Sequence, residues 1–332
     1  MRAAALIALL AAAPALAETP EIARQQRELD ARREVWEARD IPGGLVGAEA
    51  AGTVTSRSSG VNRVALYLQN VNFTFTSGIG FYVRNLAVTL ELKTPDGIVD
   101  FDRPGSFAIR IHRGEALLRP HHLNALFNRH VLVYRPRALS NMRIRTAPGR
   151  MYAEADLHLR GFDIPTSLGG RLALTRDNRL LYQIDEVEAF GIPVEWLLKR
   201  LGLGLTDLAS LERPGVSLQS FALRIDHRRA FPMPELRGDI ARARLGPDGL
   251  RLTFADSAGV TFDLPEGRGE SFIWAQSGDL KFFGVVALNA RILVKPGAPR
   301  RLNFNLYDYR RQLSAATGRL DENGVMTITT AD

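Results

Sequence analysis

The stretch RVALYLQNVNFTFTSGIGFYVRNLAVTLELK, from Arg63 to Lys93, decides the fold class because its apolar residues recur at every second position. Side chains on an extended strand alternate between two faces, so this period is typical of half-buried strands. Ser77-Gly78 divides the stretch near its middle, and both residue types are common in tight turns. The stretch therefore predicts two antiparallel strands joined by a short turn.

A polar turn followed by an alternating strand recurs along the rest of the chain. The five examples are PDGIVDF from Pro95, APGRMYAEADLHL from Ala147, RDNRLLYQI from Arg176, GPDGLRLTF from Gly246 and DENGVMTIT from Asp321. Their irregular spacing argues against a solenoid and favours a series of antiparallel hairpins. Such sheets twist and curl, and they commonly have one apolar face.

Two segments have helical spacing instead. RPHHLNALFNRHV has Pro120 at the first helical position and predicts that Leu123, Leu126 and Phe127 share one side of a helix. From Ile192 to about Leu211, a Gly-Ile-Pro entry leads into a longer, leucine-rich helix. We therefore predict an α+β fold in which a mostly antiparallel, strongly curled β-sheet wraps around a long amphipathic helix.

The first residues, MRAAALIALLAAAPALA, are typical of a secretory signal peptide, with Arg2, an apolar run, and small residues at Ala15 and Ala17. Pro14 interrupts the run before the roughly 20 apolar residues that a membrane-spanning helix needs. We expect cleavage after Ala17 and a soluble periplasmic protein. The chain has no cysteine, which excludes disulfides and thiolate metal sites.

Basic residues are concentrated between Arg103 and Arg150, where ten arginines accompany a single acid, Glu115. A block of one sign attracts phosphate groups. An exported protein seldom meets nucleic acid, so we expect peripheral contact with an anionic membrane surface and no nucleic-acid partner. The arginines predicted to lie near lipid headgroups are Arg129, Arg135, Arg137, Arg143 and Arg145.

Side chains suited to chemistry are few. His121 and His122 are adjacent, so on a helix they point in different directions and share one metal poorly. Glu154 and His158 share a strand face with Asp156, but these residues alternate with apolar ones, which favours a solvated face. No nucleophile elbow, P-loop or zinc-protease motif is present. We expect no metal, no cofactor and no enzymatic activity.

Apolar surface is what remains. A curled sheet wrapped around a leucine-rich helix leaves a groove if its middle is under-filled, and burying an acyl chain there contributes about 0.8 kcal/mol per CH₂. This predicts a phospholipid or another acyl-chain lipid as partner. The predicted lipid-binding residues are Leu123, Leu126, Phe127, Phe162, Phe190, Leu197, Leu201, Leu205 and Leu208.

Several segments together resemble the bacterial LmeA-like phospholipid-binding family, which is related to tubular (TULIP-type) lipid-binding domains. They are RGEALLRPHHLNALFNRHVL, GRMYAEADLHLRGFDIPTSLGGRLALTRDNRLLYQIDEVEAFGIPVEWLLKRLG, RPGVSLQSFALRIDH and PDGLRLTF, in that order. The resemblance covers residues 110–256 best. It implies a super-rolled antiparallel sheet around a long helix, with acyl chains in an apolar interior, and it supplies no catalytic residues.

The predicted organisation has four parts. They are a signal peptide (1–17), a charged helix or stalk (18–42), a lipid-binding β-rich domain (60–256), and a C-terminal β extension of the same sheet or a second lobe (257–332). The expected function is lipid transport or envelope homeostasis. Two alternatives stay open: a non-enzymatic envelope scaffold that binds a protein or polyanion, and a hydrolase of envelope lipid or glycan. The protein partner, lipid class and oligomeric state do not follow from the residues.

Overall fold

The structure is a computed structural model that describes residues 63–94, 97–133, 139–159, 162–189, 192–193, 211–213, 215–219, 222–257 and 260–331. Strands dominate these residues. In chain order they are β1 (Arg63–Thr76), β2 (Ile79–Leu92), β3 (Val99–Asp100), β4 (Phe107–Leu118), β5 (Leu139–Ala147), β6 (Arg150–Leu159), β7 (Phe162–Leu174), β8 (Leu180–Ala189), β9 (Ile192–Pro193), β10 (Leu211–Arg213), β11 (Val216–Gln219), β12 (Ala222–Ile225), β13 (Glu235–Arg237), β14 (Ile240–Gly246), β15 (Gly249–Phe254), β16 (Phe272–Gln276), β17 (Leu280–Phe282), β18 (Val285–Ala287), β19 (Arg291–Pro296), β20 (Leu302–Asn305), β21 (Thr317–Leu320) and β22 (Met326–Thr330).

The first sheet is a strongly curled, mainly antiparallel half-barrel of eleven strands. Its order is β14-β15-β4-β2-β1-β16-β19-β22-β21, with β13 beside β4 and β20 beside β1. Strands from the C-terminal part of the chain pair directly with β1, β16 in antiparallel and β20 in parallel orientation. The sheet is therefore built from both ends of the described chain.

The β1–β2 hairpin confirms the prediction made from its alternating residues. Its twelve residue pairs run from Arg63 opposite Glu91 to Thr76 opposite Ile79. Ser77 and Gly78 form the turn, and both have positive φ, 47° and 80°. Two consecutive positive φ values give a turn whose twist matches that of the flanking strands, which is why short hairpins favour it.

The second sheet has eight strands in the order β10-β11-β12-β8-β7-β6-β5, with β9 beside β8. It is inserted in the chain between β4 and β13. Alternation on β6 buries Ala153, Ala155 and Leu157 and leaves Glu154 exposed. The buried face contacts β14 and β15 of the first sheet, and residues from both sheets belong to one continuous hydrophobic core.

A small third sheet, in the order β18-β17-β3, covers part of the first. It includes the one recurring segment that does not form a hairpin. PDGIVDF contributes only the two-residue strand β3, which pairs in parallel with β17. The prediction of a hairpin directly at this turn was wrong, because the antiparallel partner of β2 is β4, with Leu92 opposite Phe107, and PDGIVDF lies in the connection between them.

Helices are few in the described residues. Helix α1 (Pro120–Leu126) continues into a π-helical turn (Phe127–Val131), which confirms the first predicted helix. Helix α2 (Tyr309–Leu313) is short. No helix in this part of the chain is long and apolar enough to cross a membrane.

The predicted leucine-rich helix lies mostly outside the described residues, and its predicted ends were wrong. Ile192 and Pro193 form β9 against Glu188 and Ala189 of β8. Leu211 begins β10. A residue before proline is driven toward extended backbone, which places Ile192 in a strand and not in the first turn of a helix.

Candidate ligand-binding cavity

The concave face of the first sheet encloses an apolar cavity of about 50 Å³. Strands of the sheet supply most of its wall, and β17, α2 and the loop after β3 close it. Seventeen side chains line it: Leu66, Leu68, Phe73, Leu90, Phe101, Phe107, Ile109, Ile273, Ala275, Leu280, Phe282, Ile292, Val294, Phe304, Leu306, Tyr309 and Leu313. All are apolar except Tyr309, whose hydroxyl has other partners.

A buried polar network holds the closing elements together. The Tyr309 hydroxyl donates to Asp102 Oδ1 at 2.9 Å and accepts from the backbone N–H of Phe283 at 2.8 Å. Arg310 donates to both carboxylate oxygens of Asp102, from Nε at 2.5 Å and from Nη2 at 3.1 Å. Asp102 is only 4% exposed, so this network ties the loop after β3 to α2 and to the end of β17.

A second ion pair joins β3 to β17 directly. Lys281 Nζ lies 3.3 Å from Asp100 Oδ2, and these two residues are partners in the strand register. Burial raises the pKa of the Asp100 carboxyl above its usual value, although the Lys281 ammonium group acts in the opposite direction. Strands β17 and β3 are therefore joined by two backbone register pairs and by one partly buried ion pair.

The β17–β18 hairpin exposes apolar side chains on its outer side. Phe283, Val285 and Leu288 are 43%, 55% and 38% exposed. Its turn uses Phe283 and Gly284, both at positive φ, 53° and 76°. A bulky residue such as phenylalanine rarely adopts this conformation. The same hairpin lines the cavity on its inner side through Leu280 and Phe282.

The predicted lipid-binding residues that the structure describes do not line this cavity. Leu123, Leu126 and Phe127 are 4%, 5% and 3% exposed and pack in the continuous core. Phe162 begins β7, and its side chain is not described. Phe190, Leu197, Leu201, Leu205 and Leu208 lie outside the described residues.

Helix α1 instead connects the two sheets, because it contacts both β2 and β5. Asn124 Oδ1 accepts the backbone N–H of Ile144 at 2.6 Å. Asn128 accepts from the backbone of Met142 at 2.8 Å and donates to it at 2.7 Å. These amides bind the backbone of β5 while the apolar face of the helix packs in the core.

The predicted headgroup arginines do not form one basic surface. Arg129 donates to the backbone oxygen of Ser77. Arg145 pairs with Glu154 at 2.7 Å. Arg135 and Arg137 lie outside the described residues.

Arg143 lines an open polar hollow of about 940 Å³ on the second sheet. Three carboxylates line the same hollow, those of Glu154, Asp156 and Glu188. The fold therefore brings carboxylates from β6 and β8 to the same hollow as Arg143. The hollow has more carboxylates than cations among its described lining residues, which does not favour an anionic headgroup there.

The other candidate polar residues have separate local partners. His122 is buried, its Nδ1 accepts the backbone N–H of Arg119 at 3.3 Å, and burial lowers its pKa to about 4. Asp156 accepts from Asn141 at 2.7 Å, and His158 contacts Asp163. Among the described residues, no group of three or more histidines and acids is placed to hold a metal ion. Glu154 is exposed, whereas Asp156 and His158 are half-buried and Nε2 of His158 is buried without a hydrogen-bond partner, so the predicted solvated face holds for Glu154 only.

Sequence reasoning missed the cavity because its wall combines residues more than 200 positions apart. One signal was present. The run FFGVVAL, from Phe282 to Leu288, is too continuously apolar for a hairpin with one solvated face. Such a run predicts either complete burial or an exposed apolar surface, and the structure shows the second for Phe283, Val285 and Leu288.

Comparison of the chain with family models, with curated proteins and with solved structures found no match.

Proposed function

We propose that the protein binds an acyl-chain lipid inside the curled first sheet, as a carrier or buffer of envelope phospholipid. The observation that carries this proposal is the cavity of the first sheet, whose seventeen lining side chains present apolar atoms only. A polar substrate would leave its hydrogen-bonding groups unpaired there, which costs free energy. An alkyl chain makes no such demand.

The size of the cavity requires that binding be accompanied by movement. A water molecule occupies about 30 Å³ of liquid, and an engineered cavity of roughly 150 Å³ accepts benzene. The observed 50 Å³ is therefore too small for an acyl chain in the closed form. Burial of on the order of 16 carbons contributes roughly 12 kcal/mol before ordering costs, which is enough to drive an opening.

The β17–β18 hairpin is the element best placed to open. Two register pairs and the Asp100–Lys281 ion pair join it to β3, and the Phe283 N–H to Tyr309 bond joins it to α2. Its exposed apolar side chains, Phe283, Val285 and Leu288, are accessible to a lipid from solvent. A lipid that contacts Phe283 outside the protein is next to Phe282, which lines the cavity.

A reversible lock on this hairpin tests the proposal. The chain has no cysteine, so an Asp100→Cys/Lys281→Cys pair is the only possible disulfide. Directly paired positions in neighbouring strands fall in the Cα separation that a disulfide needs, 4.4–6.8 Å as a general range. Uptake of a fluorescent fatty acid would be measured with the oxidised and the reduced protein, and a single Lys281→Cys variant is the control.

The expected result is uptake by the reduced pair and the control, with uptake lost on oxidation and restored by reductant. Uptake in both redox states would show that the hairpin is not the entrance. If the natural chain and the single variant also take up no lipid while remaining folded, the lipid proposal is wrong.

One observation favours an envelope scaffold as a second candidate. The interior of the first sheet is nearly filled, since 50 Å³ is a small void for a cavity wall of seventeen residues. A scaffold predicts that this void never opens and that the exposed hairpin binds protein. Absence of lipid uptake together with hairpin-dependent capture of a protein would favour this reading.

A further inference from the structure

Tyr82, on the convex face of the first sheet, is contacted by two guanidinium groups. The Cζ atom of Arg301 lies 4.4 Å and that of Arg119 lies 5.4 Å from the centroid of the ring. Both distances are within the range of about 6 Å for a cation–π contact. Because both are measured to one centroid, the two charges lie within the Debye length of about 10 Å at 0.1 M salt. Part of their mutual repulsion therefore persists at that salt concentration.

Three separate parts of the chain build this arrangement. Tyr82 lies in β2 opposite Asn72 of β1, Arg119 follows the last residue of β4, and Arg301 precedes the first residue of β20. The Tyr82 hydroxyl donates to Asn70 Oδ1 at 2.9 Å, which fixes the ring. The fold thus holds both cations against one rigid platform.

Carboxylates do not neutralise the pair within the part of the chain that the structure describes. Neither Arg119 nor Arg301 forms an ion pair there. Glu115, on the same face of β4, accepts from Arg251 Nη1 at 2.6 Å and lies 3.9 Å from Arg84 Nη1. Arg84, two residues from Tyr82, is 67% exposed in its side chain and adds a third cation.

We propose that Arg119 and Arg301, which both contact Tyr82, together bind a phosphate group. A guanidinium group offers a planar fork of N–H donors that matches phosphate oxygens, and stacking on an aromatic ring leaves the fork edge available. A bound phosphate relieves the repulsion between the two cations. The site lies on the face opposite the apolar cavity, so this proposal does not rest on the proposed function.

The same phosphate chemistry is available from two sources, a soluble phosphate ester and the headgroup of an anionic lipid in a surface. Glycerol phosphate, titrated by calorimetry, represents the first. Flotation with phosphatidylglycerol vesicles represents the second, with phosphatidylcholine vesicles as the uncharged reference.

Four substitutions in the full chain distinguish a specific site from general electrostatic attraction. Arg119→Gln and Arg301→Gln each remove one fork. Arg244→Gln removes an exposed charge from β14, where Arg244 is the register partner of Arg251 and makes no described contact with Tyr82. Arg301→Lys keeps the charge and loses the fork. Thermal unfolding would establish that each variant is folded.

Loss of either fork is expected to weaken binding about tenfold, as for one charge-assisted hydrogen-bonded contact. Arg244→Gln should change binding by less than about twofold, because exposed charges at a distance are screened. Arg301→Lys should lie between the natural chain and Arg301→Gln.

If glycerol phosphate binds and the Arg119→Gln and Arg301→Gln variants bind it more weakly, the proposal is supported and the phosphate comes from a soluble ester. If only phosphatidylglycerol vesicles bind, and the same two variants bind them more weakly, the proposal is supported and the phosphate comes from a lipid headgroup. If neither probe binds, or if Arg244→Gln weakens binding as much as Arg301→Gln, the proposed site does not exist.

Discussion

The two large sheets share the alternation of apolar and polar residues, but the partners of their arginine side chains differ. On the second sheet, arginines are paired across strands: Arg150 contacts Asp185 at 2.6 Å and Glu186 at 2.9 Å, and Arg171 contacts Asp185 at 3.1 Å. On the convex face of the first sheet, Arg119 and Arg301 stack on Tyr82 instead. The first sheet also has ion pairs, such as that of Arg251 with Glu115, but Arg119 and Arg301 form none among the described residues.

Their apolar faces differ as well. The second sheet buries its apolar face against β14 and β15. The first sheet curls over its own concave face and needs a separate cover from β17, α2 and the loop after β3. A face covered by small, separate elements is more easily opened than one covered by another large sheet, because fewer contacts must be broken.

The largest expected effect comes from removing the carboxylate that fixes this cover. Asp102→Ala leaves the Arg310 guanidinium and the Tyr309 hydroxyl without their shared partner. Breaking a buried ion pair by removing one member costs about 3–5 kcal/mol, so we expect a loss near the lower figure because Arg310 is partly exposed. Urea denaturation would measure the free energy of unfolding.

The control for this change is Asp308→Ala, which removes a surface pair with Arg311, a side chain that is 83% exposed. Its effect should be much smaller, as for exposed pairs in general. Equal effects from the two substitutions would mean that the buried network does not fix the cover.

Acid should weaken the connection between the two sheets through His122 of α1. Burial lowers its folded pKa to about 4 from an ordinary value of 6.5. The unfolded chain therefore binds more protons between these values, so stability is present above pH 6.5 and is lost as pH falls toward 4. The shift corresponds to about 3 kcal/mol.

His122→Gln should flatten this pH dependence, measured as the urea midpoint across that range. His121→Gln is the matched comparison and should remove a smaller part of the slope, because burial also lowers the pKa of His121 and its charge contributes to the lowered pKa of His122. The pKa values of His112 and His227 are also lowered by burial, so some slope should remain in every variant. An unchanged slope in His122→Gln would contradict this assignment.

The void in the first sheet predicts a difference between two alanines. Ala275 lines the cavity, whereas Ala116 is 2% exposed and packs in the continuous core of the same sheet. Ala116→Val should cost about 1–3 kcal/mol by overpacking. Ala275→Val should cost less or increase stability, since its added methyl groups enter empty space. Equal costs, measured by thermal or urea unfolding, would mean that the cavity is not present in solution.

The smallest effect is expected on the polar face of the second sheet. A hydrogen bond from Arg150 lowers the pKa of the Asp185 carboxyl, so its contribution to stability is present above its unfolded pKa and is lost as pH falls. Asp185→Asn should lower the urea midpoint slightly at low salt and not at high salt. Glu188→Gln, on the same strand without an ion pair among the described residues, is the control. A loss that persists at high salt would show a role beyond charge pairing.

Local features of the fold follow from local sequence. Alternation and the Ser77-Gly78 turn predict β1 and β2, and Pro120 with its apolar spacing predicts α1. Long-range pairing does not follow: no local signal places β20 beside β1 or brings Asp185 to Arg150.

The sequence predicted the type of candidate site, an apolar interior of a curled sheet, but not its position or its lining residues. A curled sheet with an apolar interior follows from the strand pattern, but the cavity depends on how strands from both chain ends leave a gap. The Tyr82 site likewise combines single residues that carry no motif. The predicted leucine-rich wall lies outside the described residues, so it stays a prediction.

Lipid occupancy of the natural protein decides whether it carries an acyl-chain lipid. The chain would be purified without detergent, its native mass measured, and its organic extract examined by mass spectrometry. The account predicts one acyl-chain lipid at a defined stoichiometry, with a native mass higher than that of the chain by the mass of that lipid. A native mass equal to that of the protein, with no lipid in the extract and none taken up on addition, would contradict it.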